Sequence, residues 1–260
     1  MASLRNSWRI QKRVVTALMI REMTTRFGRE NIGFLWVMVE PLLFAGLVAL
    51  MWRVMKGPEE HGVSVVAFVI SGYIPLTLFR HALSKSIAVF VANGSLLYHR
   101  QVRIIDFLLA RFMIEMIGGM MAFVFVSSVL FAVGLFEIPE NPTYLIAGWL
   151  LYSLVTLSIC FVIAPLSEVS EVLEKIIPVT TYIIIPISGT FSMVQWLTPT
   201  LREYMLWSPF VTPMEMIRYG LFGDRVTPYY SLPVPLVFSV VCLVIGLALC
   251  RRVRKDMAVE

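Results

Sequence analysis

Charge is scarce in this sequence. Of its 260 residues, 15% are charged and 58% are hydrophobic, whereas a soluble domain is about one quarter charged and about half apolar. The mean hydropathy is +0.80. This balance excludes a water-soluble enzyme, a disordered tail and a nucleic-acid-binding domain. Cysteine and histidine are rare too, three of each. Cys160, Cys242 and Cys250 sit in apolar stretches, with neither a disulfide framework nor metal-ligand spacing. His61, His81 and His99 lie in three separate places, none within a Cys, Asp or Glu constellation. The motifs HExxH and GxSxG are missing, as is the glycine-rich phosphate loop of nucleotide-binding domains. Few ionisable groups fall within the apolar runs, which argues against a carrier driven by a buried proton or ion relay. Neither a catalytic site, a metal nor a cofactor is expected on this chain. Energy for active transport would come from another subunit.

What is abundant is apolar length. A bilayer crossing needs about 20 apolar residues. Six stretches meet or approach this: 32–55, 62–80, 111–136, 142–166, 176–198 and 231–250. An even number places both termini on one side. The net charge of +5 then reads as basic loops at a membrane surface. Arg5, Arg9, Lys12, Arg13, Arg21, Arg26 and Arg29 precede the first stretch. Arg80, Lys85, Arg100, Arg103 and Arg111 lie between the second and third, Lys175 between the fourth and fifth, and Arg251, Arg252, Arg254 and Lys255 after the last. The opposite side holds Arg53, Lys56, Arg202, Arg218 and Arg225. Basic loops favour the cytoplasm, so both termini are expected there. The run Val14–Ile20 is short and Arg21-Glu22 follows it, so a cleaved leader is not expected. With no long linker or repeat, residues 1–260 read as one membrane domain.

Three segments are not spans. Residues 1–30 place Leu4, Trp8, Val15, Leu18 and Met19 near one helical face and Arg5, Arg9, Lys12 and Arg13 on the other. That pattern predicts an amphipathic helix in the membrane interface; a plain basic tail is the competing reading. Residues 81–106 form a cytoplasmic connection with a turn signal at Asn93-Gly94, followed by LLYHRQVRIID. Residues 199–230 contain YMLWSPFVTPMEMI, broken by Pro209 and Pro213. This predicts two short re-entrant or interfacial helices. Trp196, Tyr204, Trp207, Tyr229 and Tyr230 would form an aromatic belt there. Two carboxylates lie near membrane depth. Glu115 follows Arg111 by four residues, the spacing of an intrahelical pair. Glu40 has no partner within a turn. Gly118, Gly119 and Gly134 permit close helix approach.

Residues 17–43 read ALMIREMTTRFGRENIGFLWVMVEPLL, and residues 208–220 carry SPF-x-x-P-x-E-x-x-R-Y-G. With the layout of spans, this resembles the ABC-2 type permeases that export polysaccharides, most of all the capsular polysaccharide exporters of Gram-negative bacteria. The resemblance covers nearly the whole chain. It is less specific for capsule than for polysaccharide, so O-antigen, teichoic acid or another lipid-linked or lipophilic cargo stands as the alternative. An intramembrane enzyme would need a polar cluster at one depth, which the sequence does not offer.

The resemblance implies an all-α integral membrane fold with six transmembrane helices, an N-terminal interfacial helix and short periplasmic re-entrant helices before the last span. It implies an inner-membrane homodimer bound to two cytoplasmic subunits that hold ATP and Mg. It also implies a periplasmic adaptor, or co-polymerase, leading to an outer-membrane channel. The cargo would be a lipid-linked polysaccharide. Carried onto this chain, Arg21, Arg26, Arg29, Glu30 and Trp36 would stand at a lateral gate for the lipid headgroup. Asn93, Tyr98, His99, Arg100 and Arg103 would belong to a coupling helix against the ATPase. Trp207, Pro209, Pro213 and Arg218 would build a periplasmic gate. Arginine suits phosphate and carboxylate groups because it binds them in forked pairs. Trp36, Tyr73 and Phe79 are the candidate conduit aromatics, and periodicity alone does not say which of them face the lumen rather than lipid.

Overall fold

A computed structural model describes residues 4–27, 32–90, 92–94 and 102–257. They are almost wholly helical. The helices are α1 (Leu4–Phe27), α2 (Ile32–Lys56), α3 (Val65–Ser86), α4 (Ile104–Ala132), α5 (Pro142–Val169), α6 (Glu171–Ile183), α7 (Pro199–Leu206), α8 (Val211–Phe222) and α9 (Pro233–Met257). A small antiparallel hairpin, β1 (Glu59–Glu60) and β2 (Val63–Ser64), joins α2 to α3.

Local chemistry sets many of the boundaries. Ser64 precedes α3 and its hydroxyl accepts from Ala67 N at 3.5 Å. At the start of α4 the Asp106 carboxylate reaches back to accept from Arg103 N at 2.9 Å, occupying an otherwise orphan donor. Proline opens α5 and α7, where its missing N–H costs nothing.

Among the described residues, α3, α4, α5 and α9 are long and apolar enough to cross a membrane. Helix α2 has 25 residues, which at about 1.5 Å per residue exceeds the ~30 Å hydrocarbon core. The stretch 176–198, expected as one continuous crossing, differs. Helix α6 has 13 residues and gives way to a tight turn of helix at Ile185–Ile187 and a loop. Pro178 and Pro186 withdraw backbone donors, and Gly189 adopts φ +72°, which ends helical geometry there. The connection 81–106 is helical at both ends, since α3 runs on to Ser86 and α4 begins at Ile104. In 199–230 the chain forms α7 and α8 with a break at Trp207–Phe210, where Pro209 lies.

Helix α3 forms the centre. Val69, Ile70, Ile74 and Phe79 are fully buried. Helices α2, α4, α5, α6 and α8 pack around it, and α1 lies against α4. Helix α9 packs on α5 so closely that a Cβ at Gly246 would sit 2.6 Å from the backbone of Phe161. The outer faces of α4 and α9 expose Val124, Phe131, Val237, Val240, Val241 and Val244. So much exposed apolar surface suits lipid rather than water.

Candidate functional site

At one end of the bundle, α1 is fastened by charge. Arg26 donates to Glu115 of α4 at 2.5 Å and to Glu22 at 3.0 Å. Arg111 Nε lies 3.2 Å from the same Glu22 oxygen, an ion pair without hydrogen-bond geometry. Its Nη1 donates to Lys85 O at 2.9 Å at the end of α3. His81 of α3 stands between two carboxylates, 3.9 Å from Glu40 of α2 and 3.9 Å from Glu115. One network therefore touches four helices. The intrahelical Arg111–Glu115 pair expected from spacing is not what forms. Each residue finds its partner on α1, because α1 crosses α4 at this level and both side chains lean toward it.

The connection after α3 is fastened to this network. Arg21 donates to the Asn93 side-chain oxygen. Asn93 is buried and donates in turn to Val89 O at 2.8 Å. Ala88 N donates to Ser167 Oγ at 3.2 Å, and Phe90 N to Glu168 at 3.0 Å, so the C-terminal end of α5 holds the same turn. Ala88 itself has φ +49°, a strained region for a residue with a Cβ. Gln11 of α1 donates to Asp106 at 3.2 Å. The turn is thus tied to α1 and α5, and the start of α4 to α1. Arg103 is exposed at that start.

Of the residues singled out by sequence, Arg21, Arg26 and Asn93 come together here. Arg29, Glu30, Tyr98, His99 and Arg100 lie outside the described residues. Trp36 belongs to α2, and its side chain is not among those described. Sequence reasoning missed Glu22, Ser167 and Glu168. Their signal is a polar pair at a span end, Ser167-Glu168, and a Glu preceding Arg26 by four.

On the far side, Arg218 of α8 is fully buried. Its guanidinium donates to Gly189 O at 2.6 Å, Thr190 O at 2.5 Å and Ser192 O at 2.8 Å. It lies 4.2 Å over the Phe68 ring, and Glu215 approaches to 4.0 Å. Glu215 in turn accepts from Val194 N at 3.2 Å. These two side chains satisfy the irregular backbone that replaces the last part of the expected fifth span. Gly72 completes the fit, since a Cβ there would fall 2.3 Å from Thr190 O. Pro213 is buried in the first turn of α8, and Pro209 lies in the break before it. Trp207 is 78% exposed. Arg218 is therefore inside and Trp207 at the surface. In the expected belt, Tyr204 and Trp207 are exposed, whereas Trp196 packs at 4.7 Å on Phe68.

Between α2, α3 and α6 runs a more aromatic surface. Phe44 stacks on Tyr73 at 4.8 Å. Arg80 donates to the Tyr182 hydroxyl at 2.7 Å and lies over its ring. Phe79 does not belong to this surface. It is fully buried edge-on to Phe210, which removes it from any conduit, because α8 packs over that face of α3.

A helical bundle with apolar helices of membrane-crossing length, irregular backbone held by a buried arginine and a charge-tied connection at the opposite end has the build of an integral membrane protein. Comparison with known proteins agrees. Residues 13–222 match the model of the ABC-2 type transporter family. The chain is 38% identical over 248 residues to the capsule polysaccharide export inner-membrane protein CtrC of Neisseria meningitidis serogroup B, covering 95% of this chain and 94% of that one. It is 34% identical over 255 residues to the protein of the same description, BexB, of Haemophilus influenzae, covering 98% and 96%. It is 27% identical over 252 residues to the polysialic acid transport protein KpsM of Escherichia coli, covering 95% and 96%. The chain belongs to the ABC-2 type transporter family.

Proposed function

We propose that this chain is the membrane-spanning subunit of an ABC exporter that carries lipid-linked capsular polysaccharide across the bacterial inner membrane. The observation that carries this reading is near full-length similarity to relatives named for capsule polysaccharide export. The chain crosses the membrane six times, with α2, α3, α4, α5, the α6 segment and α9 as the crossings and both termini in the cytoplasm. It acts as a homodimer. Two cytoplasmic subunits bind ATP and Mg and hydrolyse the nucleotide. A periplasmic adaptor receives the polymer and leads it to an outer-membrane channel.

The wiring of the connection after α3 supports a coupling role. ATP-driven closure pushes on residues 93–103. Because Asn93 bonds Arg21, and Ala88 and Phe90 bond Ser167 and Glu168, a push there moves α1 and the end of α5 together as a rigid body. Arg21 and Arg26, with Arg29, Glu30 and Trp36, border the lateral entrance for the lipid phosphate. Tyr98, His99, Arg100 and Arg103 face the ATPase. Pro209, Pro213, Trp207 and Arg218 belong to the periplasmic gate, with Arg218 as its internal fastening.

Exposed apolar residues on α2 (Leu43, Leu47) and α6 (Ile176, Val179) flank the buried α3. They fit a second copy, with Phe44, Tyr73 and Tyr182 along the seam as faces on which sugar rings slide. The test is deletion of the gene in its native host, followed by complementation. Wild type restores surface capsule and co-purifies with an ATPase. The Arg103→Glu variant inserts normally but exports nothing. A deletion strain with normal capsule sinks the proposal.

A further inference from the structure

A groove of about 580 Å³ opens between the C-terminal half of α4 and the start of α5. That volume lies within the ~300–1,000 Å³ range of small-ligand sites. Its walls include Phe123, Val124, Ser127, Phe131, Phe136 and Ile146. Val124, Phe131 and Ile146 are exposed, so the groove is open sideways. Ser127 Oγ is buried in the wall without a hydrogen-bond partner among the described residues. At the outer rim stands Glu137. Arg225 donates to Glu137 and, at 3.3 Å, to Glu140. Asp224 is exposed next to Arg225. The rim therefore sets two carboxylates around one guanidinium and attracts a cation. The loop bearing it is held in place, since Asn141 N donates to Gly220 O of α8 at 2.9 Å.

We propose that this groove binds one phospholipid of the outer leaflet with an ammonium headgroup, phosphatidylethanolamine in kind. One acyl chain lies along Phe123 and Phe131. The ammonium faces Glu137 and Glu140, and the phosphate faces Arg225. Depth selects a lipid over a protein helix. The groove follows α4 from Met120 to Phe131, about 17 Å at 1.5 Å per residue. That is roughly half of the ~30 Å hydrocarbon core. A spanning helix needs a seam through both halves, whereas an acyl chain needs one half. Charge selects the headgroup, because an anionic lipid would meet an excess of carboxylates. The site lies beyond the transport reading given above. Only the choice of leaflet depends on the topology proposed there.

The test uses the full chain with its native partners, purified in mild detergent and placed in nanodiscs of phosphatidylethanolamine and phosphatidylglycerol in equal amounts. Lipids retained on release are counted by native mass spectrometry. Wild type retains phosphatidylethanolamine about threefold over phosphatidylglycerol, the scale of a partly exposed ion pair. The Glu137→Gln/Glu140→Gln variant loses that preference and keeps the lipid count. Val124→Trp, and Ile146→Trp from the opposite wall, each retain one lipid fewer per chain. Both positions are exposed, so the core is spared. Equal retention of the two lipids by wild type overturns the proposal. So does an unchanged lipid count in both tryptophan variants, or a protein segment crosslinked into the groove from position 128. None of these results bears on whether capsule is exported, so the two proposals fail separately.

Discussion

Arg26 of α1 and Glu115 of α4 lie 2.5 Å apart across 89 positions of sequence, each more than four-fifths shielded from solvent. A pair so shielded is costly to break on one side, because the remaining charge stays behind unpaired. Glu115→Gln is expected to lower stability by about 2 kcal/mol and to release α1 from the bundle. The exchange Arg26→Glu/Glu115→Arg should recover most of that loss. Thermal unfolding in detergent, with the double variant beside each single one, is the measurement. No recovery in the exchange would mean that the pair is incidental.

Arg218 reaches three carbonyl oxygens at once. Lysine carries the same charge but lacks the fork. Arg218→Lys should therefore loosen residues 189–192 almost as much as Arg218→Ala, by roughly 3 kcal/mol. Chymotrypsin digestion reads this directly, because cleavage near Phe191 should rise in both variants. Protection in the lysine variant equal to wild type would refute it.

Ala88 and Ser167 test the coupling turn. Glycine adopts φ +49° without strain, so Ala88→Gly should keep both ATP hydrolysis and export. Valine resists that region, and Ala88→Val should lose export. Ser167→Ala leaves Ala88 N without its acceptor. In that variant hydrolysis by the assembled complex should continue while export falls severalfold. A parallel fall in both activities would point to lost assembly instead.

The rim of the α4–α5 groove carries a pH signature. The hydrogen bond from Arg225 holds the Glu137 carboxyl below its usual range, and Glu137 holds Arg225 up. The folded value is depressed, so this tie contributes fully above the ordinary glutamate value of about 4.3. It is lost as pH falls through the lower, folded value. The groups are exposed, so the contribution is under about 1 kcal/mol. The stability gap between wild type and Glu137→Gln should be flat near neutral pH and close on acidification. A gap that widens in acid would reverse the sign.

The apolar runs marked α3, α4, α5 and α9 as crossings, because a long uncharged stretch has few other homes. The helix over Leu4–Phe27 and the short helices around Pro209 were also legible, from helical spacing and from proline. Two things were not. Spacing along one helix suggested Arg111 for Glu115, but the partners lie on α1, and contacts across helices leave no mark in a single sequence. Hydropathy likewise joined residues 176–198 into one span. The backbone breaks at Gly189 because Arg218, far along the chain, supplies the donors that make a break tolerable. The facing of Phe79 was not legible for the same reason: its cover comes from Phe210.

The fastening of α1 has a mechanical consequence. Glu22 already serves three guanidiniums and Glu115 both a guanidinium and an imidazole. Swapping one contact for another within such a set changes its energy little. Helix α1 can shift slightly by trading partners, as a hand moves along a rail, as far as the packing of Leu18 against the core allows.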